Sequence, residues 1–282
     1  MIIFKHSQDL RNYVDKIRSP EVSVGFIPTM GALHAGHLSL IVESKKLSRL
    51  TVCSIFVNRI QFNNPDDFKK YPIAIEKDIL LLEEHGCEVL FLPDEKEIYP
   101  DAATINKHFD LGYLETILEG KFRPGHFQGV CLVVEKLLNI VEPDFLYIGQ
   151  KDFQQCLVIK KLIAIMKKNI KIIICPTLRE SNGLAMSSRN LRLNTFEKNL
   201  ASELHQALEG IKKDLSVSNF SPLKTKATQH LEKLGFKIDY LELAKAKNLD
   251  LVNGFDNKED LIILIAAFLN EVRLIDNLLI NS

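Results

Sequence analysis

A short apolar run that ends in a turn and continues as a helix places the strongest constraint on this fold. Residues 22–27 are apolar with β-branched side chains, which predicts a buried strand, and Pro28 and Gly31 break the run. From Gly36 the apolar positions take up helical spacing, and a second apolar run follows at 51–58. Strand, helix and strand with short turns predict a parallel βαβ unit, because parallel strands need a crossover connection.

The alternation of strands and helices continues toward residue 175. Further strands are predicted at 1–4, 88–92, 145–148 and 170–175, and further helices at 7–18, 75–86, 125–141 and 153–168. Ser7 is expected to cap the first of these helices, and the polar segments 59–72 and 94–121 are expected to be irregular. The pattern predicts an α/β fold with a Rossmann-like, doubly wound parallel sheet, whose ligands bind at the carboxyl ends of the strands.

The pattern changes after Asn194. Helices are predicted at 196–215 and 223–234, and strand-like runs at 237–243, 261–269 and 272–276. This order of elements indicates a smaller α+β C-terminal domain. A chain of 282 residues exceeds the usual size of one compact domain. We therefore expect a Rossmann-like domain over 1–176 and a C-terminal domain over 177–282.

Composition limits the classes of protein that fit. Lys plus Arg equals Asp plus Glu at 36 each, and a net charge of zero argues against an extended nucleic-acid surface. The five cysteines form no C-x-x-C pair and most lie in apolar runs, which indicates free thiols in a reducing cytoplasm. The sequence contains no signal segment and no long uncharged apolar stretch, so we expect a cytoplasmic protein without a membrane partner.

Two histidines, His34 and His37, stand at the turn that follows the first apolar run. A helix start has unpaired backbone N–H groups and the positive end of a dipole, so it suits a phosphate. Imidazoles three residues apart would add donors aimed at the same anion, and Gly36 would let phosphate oxygens approach the backbone. The alternatives are solvated side chains or a zinc site, although no third ligand follows nearby in the sequence.

Polar side chains also follow the other predicted strands. Lys151 comes after the strand at 145–148 and would face the same ligand edge as the histidines. Two serines and Arg189, in the segment 187–189, offer several donors to polyphosphate oxygens. Amides at strand or helix ends orient a small polar substrate without adding charge, and three side chains fit this description: Asn58, Gln61 and Gln155.

Lys121, Arg123 and His126 surround a Pro-Gly turn before a helix, where they either hold an acid or are solvated. The P-loop pattern and the G-x-G-x-x-G fingerprint are both absent from the sequence. A nucleotide ligand would therefore use the histidine turn.

Five ordered blocks of sequence resemble one family. They read PTMGALHAGHLSLI, FVN..QF, RPGHFQGVCLVVEKLLNIVEPD, GQKDFQQ and RESNGLAMSSRN, and a short match resumes at RLIDN, residues 273–277. Together they resemble the pantoate–β-alanine ligases, also called pantothenate synthetases, across most of residues 22–193. The H-x-G-H motif alone would indicate only the wider nucleotidyltransferase superfamily, which includes class I aminoacyl-tRNA synthetases.

The resemblance implies a ligase that joins D-pantoate to β-alanine. ATP would be cleaved to AMP and pyrophosphate with Mg2+ present, and the reaction would pass through an enzyme-bound pantoyl adenylate. The resemblance also implies a homodimer and a C-terminal domain that closes over the ATP site.

The resemblance assigns an ATP site as well. Its residues would be Met30, Gly31, His34, His37, Gly149, Gln150, Lys151, Asp152, Leu178, Met186, Ser187, Ser188 and Arg189. His34, His37 and Lys151 would act in catalysis by stabilising phosphate charge, with His37 as the proton donor.

The substrate side of the site is assigned in the same way. Asn58, Gln61 and Gln155 would bind pantoate, and Gln61 would lie near β-alanine. Asp78, in the helix predicted at 75–86, is suggested as an outer-shell anchor for Mg2+.

The chain departs from the family pattern at three positions. Arg59 stands where the family has Pro, Gln150 where it has Glu, and Asn182 where it has an acidic residue. We expect these departures to affect affinity rather than the reaction. Two alternative functions stay open: another nucleotidyltransferase that makes a nucleotide-linked product, and a nucleotide-sensing module without catalysis.

Overall fold

The computed structural model describes residues 1–101, 106–217, 219–255 and 258–281. The chain divides into two compact units. Unit 1 comprises Met1–Gln150 and Gln155–Pro176, and unit 2 comprises Lys151–Gln154 and Thr177–Ser282. The short segment Lys151–Gln154 thus belongs to unit 2 although the chain on both sides of it belongs to unit 1.

Unit 1 contains a six-stranded sheet. Its strands are β1 (Ile2–Phe4), β2 (Val24–Thr29), β3 (Leu50–Ile55), β4 (Val89–Phe91), β5 (Phe145–Gly149) and β6 (Lys171–Cys175). All pairings are parallel and the order is β1-β4-β3-β2-β5-β6, which confirms the predicted doubly wound, Rossmann-like sheet. The strand order reverses between β2 and β5, and the crevice at such a reversal is where ligands of these sheets bind.

Helices precede, connect and follow these strands. They are α1 (Ser7–Ile17), α2 (Ala35–Leu47), α3 (Pro65–Lys69), α4 (Ile75–Glu84), α5 (Glu95–Ile98), α6 (Leu118–Phe122), α7 (His126–Val141) and α8 (Phe153–Ile165). Two apolar clusters fill the core, one containing Phe26 and Val52 and the other Ile27 and Cys53. Successive residues of β2 and β3 therefore face different clusters, so both faces of the sheet are buried, as parallel sheets require.

Several predicted details of unit 1 are wrong. The N-cap of α1 is His6, and the Ser7 hydroxyl does not cap the helix. The Ser7 hydroxyl donates instead to the Glu97 carboxylate, and the Ser7 backbone N–H donates to the same carboxylate at 2.8 Å. The strand β2 continues through Pro28, which was expected to end it.

The segments expected to be irregular contain short helices. These are α3, α5 and α6, together with 3-10 turns at Arg59–Gln61 and Gly112–Glu115. Helices of three to five residues are too short for a helical period to show in the sequence. Part of the second segment, 102–105, lies outside the described residues.

Unit 2 is an α+β structure, as predicted. Its helices are α9 (Thr195–Ala201), α10 (Glu203–Asp214) and α11 (Phe220–Lys233), and its strands are β7 (Phe236–Lys245), β8 (Leu261–Leu269) and β9 (Val272–Ile280). The strands form an antiparallel sheet in the order β7-β8-β9. The core contains Leu204 and Leu208 of α10, Leu231 of α11, and Ile263 and Ile265 of β8.

The helix predicted as one element at 196–215 is two helices. They meet at Ser202, whose hydroxyl donates to the Asn199 carbonyl at 2.7 Å. A serine hydroxyl that bonds a preceding carbonyl competes with the backbone and often bends a helix.

All five cysteines are buried free thiols. Among the described residues, no helix combines the length and the hydropathy needed to cross a membrane.

Candidate active site

The turn after β2 has an unusual backbone. Gly31 has φ +77° and Ala32 has φ +49°, so two successive residues adopt the left-handed conformation. A Cβ at Gly31 would lie 3.0 Å from Asp78 Oδ2 and 3.0 Å from Ile55 Cγ2, so a side chain there would force one of these neighbours to shift. A left-handed alanine costs free energy and persists only where its surroundings hold it.

Asp78 is the residue that holds this turn. Its carboxylate accepts the Ala32 N–H at 2.8 Å and the Leu33 N–H at 2.7 Å, and the side chain is 1% exposed. Burial raises the pKa of the Asp78 carboxyl above its ordinary value, and the hydrogen bonds from Leu33 and Ala32 oppose that shift. Both oxygens are thus engaged by backbone, so these contacts give Asp78 a structural role. A role in Mg2+ binding stays a prediction.

The two histidines cap the first turn of α2. His34 is the N-cap residue, and its Nδ1 accepts the Gly36 N–H at 3.1 Å. His37 Nδ1 accepts the His34 N–H at 3.4 Å, and the two ring centroids are 4.0 Å apart. Because a backbone N–H only donates, both Nδ1 atoms are acceptors, and the hydrogen of each neutral ring is on Nε2.

This arrangement changes the expected source of donors at the turn. The N–H groups of His34 and Gly36 were expected to be unpaired, but imidazole nitrogens accept from them. The N–H groups of His34 and Gly36 are therefore not the unpaired donors that the sequence led us to expect, and the hydrogens of the two neutral rings are on Nε2. The two rings are brought together as predicted from their spacing.

A cluster of amides lies after β3. Asn58 is fully buried, and its Nδ2 donates to Gln61 Oε1 at 3.1 Å and to the Gly129 carbonyl at 3.0 Å. Its Oδ1 accepts the hydroxyl of Tyr99 at 3.0 Å. Gln61 Nε2 lies 3.2 Å from Met30 Sδ, so the structure brings three predicted site residues together.

Arg123 and His126 contact each other and the backbone of this cluster. Arg123 Nη1 lies 3.0 Å from His126 Nε2 and 3.4 Å from a carboxylate oxygen of Glu119. His126 Nδ1 lies 2.8 Å from the Gln61 carbonyl oxygen. His126 is buried, Arg123 is partly buried and Lys121 is exposed, so the solvated interpretation fits Lys121 but not His126. Binding of an acid by this turn stays a prediction.

In unit 2, residues of β9 hold the segment that carries Lys151. Asn277 Nδ2 donates to the Lys151 carbonyl at 2.9 Å, and the Lys151 ammonium lies 3.2 Å from Asp152 Oδ2. Asp276, the preceding residue, forms a bidentate ion pair with Arg179: Nη1 donates to Oδ2 at 2.6 Å and Nη2 donates to Oδ1 at 3.0 Å. The short sequence match at 273–277 thus contains two residues that hold other segments of the unit.

The loop that begins at Leu178 contains most of the other predicted ATP residues. Arg179 and Ala185 form an antiparallel bridge, and the Met186 N–H donates to the Leu178 carbonyl at 3.0 Å. The Ser187 hydroxyl accepts the Arg189 N–H at 3.3 Å. The loop therefore brings Leu178 and residues 186–189 together, although the side chain of Ser188 is buried rather than exposed.

The remaining predicted residues lie near the carboxyl end of β5. Gly149 is the last residue of β5, and a Cβ there would meet no atom within 4 Å. Gln150 begins the 3-10 turn Gln150–Asp152, and Gln155 is half-buried on α8.

Sequence analysis missed four residues that support the site: Tyr99, Arg179, Asp276 and Asn277. Arg179, Asp276 and Asn277 lie inside blocks quoted for the family resemblance, and that was their only signal. Tyr99 lies in a segment expected to be irregular, which contains no periodic pattern that could have identified it.

A Rossmann-like sheet with donor-rich segments after β2, β3 and β5 defines an α/β protein of the nucleotide-binding class. Residues 2–279 match the family model described as pantoate-beta-alanine ligase. Relatives named pantothenate synthetase include those of Cytophaga hutchinsonii, 44% identical over 99% of both chains, and Pseudothermotoga lettingae, 41% identical over 100% of both.

Solved structures show the same similarity. A pantothenate synthetase from Thermus thermophilus matches with a TM-score of 0.88 and 33% identity over 99% of both chains. A pantoate-beta-alanine ligase from Francisella tularensis, complexed with beta-gamma ATP and beta-alanine, matches with a TM-score of 0.83 and 38% identity, covering 99% of this chain and 97% of that one. The chain belongs to the pantoate–β-alanine ligase family, and it is a ligase of pantothenate biosynthesis.

Proposed function

We propose that this chain condenses D-pantoate with β-alanine and cleaves ATP to AMP and pyrophosphate, through an enzyme-bound pantoyl adenylate. The observation that carries the proposal is a pair of donor-presenting segments after two adjacent strands. The histidine turn follows β2, the Gln61 amide follows β3, and these strands pair from Val24 to Thr29. A triphosphate and an organic acid both carry acceptor oxygens that match such donors.

In the first step a pantoate carboxylate oxygen attacks the α-phosphorus of ATP. The new P–O bond forms as the bond to the pyrophosphate oxygen breaks, and negative charge builds on the transferring and departing phosphates. The Nε2–H groups of His34 and His37 would stabilise that charge, with His37 as the proton donor. Preorganised donors of this kind are worth roughly 3 to 4 kcal/mol each.

In the second step the β-alanine amine attacks the acyl carbon of the adenylate, and AMP leaves with the former carboxylate oxygen. Gln61 and Gln155 would bind pantoate through their amides, and Gln61 would also lie near β-alanine. Asn58 has both of its amide hydrogens engaged, so we propose that it supports Gln61 rather than binding the substrate itself.

ATP would also be bound by the remaining residues of the predicted site. We propose that Lys151 stabilises the phosphates and that residues 186–189 bind the triphosphate. Met30, Gly31, Gly149, Gln150, Asp152 and Leu178 complete the proposed set. The Arg179–Asp276 ion pair and the Asn277 amide support this role, since they hold the two segments in unit 2. The domain 177–282 would close over the ATP.

The described residues contain no group of three His, Cys, Asp or Glu side chains that could hold a metal ion. We propose that Mg2+ arrives on the ATP phosphates, because this ion keeps several waters and commonly binds through substrate phosphates. Bound there, it would neutralise phosphate charge. A homodimer is proposed from the family resemblance, and a reducing cytoplasm is proposed because all five thiols are free.

The test is an assay of the purified protein with ATP and Mg2+ while each acid substrate is supplied or withheld. We expect pyrophosphate release to require D-pantoate, and release of AMP and pantothenate to require β-alanine as well. A nucleotide-linked product would indicate another nucleotidyltransferase. Binding of ATP without pyrophosphate release in the presence of pantoate would indicate a nucleotide sensor. Either result contradicts the proposal.

A further inference from the structure

The orientation of the Asn58 amide follows from groups that have a single hydrogen-bonding role. The Gly129 carbonyl can only accept, so the Asn58 atom 3.0 Å from it is the nitrogen. The same nitrogen lies 3.1 Å from the Gln61 side chain, which must therefore present its oxygen to Asn58. The orientation of one amide thus sets the orientation of the next.

Tyr99 lies at the other end of this chain of hydrogen bonds. Its hydroxyl is 3.0 Å from Asn58 Oδ1, which can only accept, so Tyr99 is the donor. The ring is buried and packs edge-on against Phe56 with centroids 6.1 Å apart. Burial raises the pKa of the Tyr99 hydroxyl well above its usual range, so the hydroxyl keeps the proton that it donates.

The backbone of Gln61 is held independently of its amide. Arg123 can only donate to His126 Nε2, so the proton of that ring is on Nδ1 and is donated to the Gln61 carbonyl at 2.8 Å. A Cβ at Gly129 would lie 2.7 Å from Gln61 Cα, which shows how closely the two backbones approach. With the backbone and Oε1 both held, the Gln61 amide has one group left to present, its Nε2 donors.

The observed partner of Gln61 Nε2 is the Met30 thioether at 3.2 Å. A thioether is a weak acceptor, and a carboxylate or hydroxyl oxygen would replace it readily. We propose that Tyr99 is a positioning residue for the acid substrate: its hydroxyl, acting through Asn58, holds the Gln61 amide with N–H donors toward an oxygen of pantoate. This inference rests on the proposed role of Gln61 in binding pantoate.

Tyr99→Phe tests the inference because it removes the hydroxyl and keeps the ring that packs on Phe56. The buried Asn58 oxygen would lose its donor, and the amide pair would no longer be held in one orientation. We expect KM for pantoate to rise about fivefold while KM for ATP stays within about twofold. The measurement is steady-state pyrophosphate release with each substrate varied in turn.

Tyr147→Phe is the matched control. Tyr147 is also buried and loses a comparable hydrogen bond, 3.0 Å to the hydroxyl of Ser48, a residue that lies outside the amide cluster. We expect both KM values of this variant to match those of the parent enzyme. Thermal unfolding of both variants establishes that each is folded under the assay conditions.

A double-mutant cycle with Gln61→Ala separates positioning from a general structural effect. If Tyr99 acts through Gln61, adding Tyr99→Phe to Gln61→Ala should leave KM for pantoate unchanged from the single Gln61 variant. Additive effects, equal changes in both KM values, or a Tyr99→Phe enzyme that matches the Tyr147→Phe control would each overturn the inference. A normal KM for pantoate in Gln61→Ala alone would instead contradict the proposed role of Gln61.

Discussion

The two units hold their proposed site segments by different interactions. In unit 1, Gln61 is held by neutral hydrogen bonds to its amide and its backbone. In unit 2, the loop that begins near Arg179 is held to β9 by an ion pair with Asp276, in which the aspartate is buried and the arginine partly buried. A neutral hydrogen bond contributes about 1 kcal/mol, whereas removing one partner of a buried ion pair costs about 3 to 5 kcal/mol.

The difference indicates two kinds of task. Neutral hydrogen bonds between groups with fixed donor and acceptor roles determine which atom faces a ligand, and each contributes little to stability. An ion pair with two parallel hydrogen bonds fixes the path of the backbone, because its loss leaves a buried charge without a partner. We therefore expect changes in the unit 1 cluster to alter substrate use, and changes at Arg179 to alter stability.

The largest expected effect is on catalysis and compares the two units directly. We predict that His37→Ala in unit 1 and Lys151→Ala in unit 2 each reduce the rate of adenylate formation by about 10²- to 10³-fold, since each would remove a preorganised donor to phosphate charge. The measurement is pyrophosphate release in a single turnover.

His108→Ala is the control for this comparison, because His108 is exposed. We expect it to react at the parental rate. Loss of activity in only one of the two test variants would restrict phosphate stabilisation to that unit. Near-parental rates in both would contradict the proposed ATP site.

The next effect is on stability. We predict that Arg179→Ala lowers the free energy of unfolding by about 3 kcal/mol, because Asp276 is 4% exposed and would keep a buried charge without its partner. Lys69→Ala is the control: Lys69 and Asp66 are about three-quarters exposed, and such a pair contributes under about 1 kcal/mol. Urea unfolding of both variants gives the comparison, and similar losses would mean that burial of the Arg179 pair is unimportant.

A smaller effect is predicted for Asp78→Asn. An amide can accept only one of the N–H groups of Ala32 and Leu33, and its own N–H2 would face the other. We expect kcat/KM for ATP to fall about tenfold, about 1.4 kcal/mol, because the histidine turn would be held less firmly. The substitution also removes a buried carboxyl group whose pKa is raised by desolvation, which by itself would favour the folded state. Full activity together with increased stability would therefore show that Asp78 does not position the turn.

The same substitution at an exposed aspartate provides the control for Asp78. Asp66→Asn removes a charge from a side chain that is 76% exposed, and we expect neither activity nor stability to change measurably. A comparable loss of kcat/KM in this variant would mean that the general loss of negative charge, rather than the turn, is responsible.

The smallest predicted effect is the pH dependence of unit 2. Burial, and then the neighbouring Arg179, lower the pKa of His205 below 6.5, and the carboxylates of Asp276 and Glu209 only partly oppose them. The unfolded chain therefore binds more protons than the native one just below pH 6.5, and stability should fall as the pH drops through that range. His205→Gln should reduce this slope in urea unfolding, whereas an unchanged slope would assign the dependence to another group.

The fold was largely predictable because burial of apolar runs is a local property of the sequence. Residues 22–27 and 51–58 are apolar and separated by a helical pattern, and this pattern has few solutions other than a parallel βαβ unit. The pairing of His34 with His37 was also predictable from a local feature, their spacing at a helix start, where the N-cap side chain lies next to that of the third helical residue. Short helices such as α3 and α5 were missed because they contain too few residues to show a period.

The sequence by itself determined the class of sheet, the order of strands and helices along the chain, and the residue types that follow the strands. The direction of each hydrogen bond was decided only by the tertiary structure. Asp78 meets Ala32 across 46 residues and Arg179 meets Asp276 across 97, and no spacing rule connects such positions. A hydrogen bond depends on the atoms that folding brings within about 3 Å, and for distant segments the packed core decides which atoms those are.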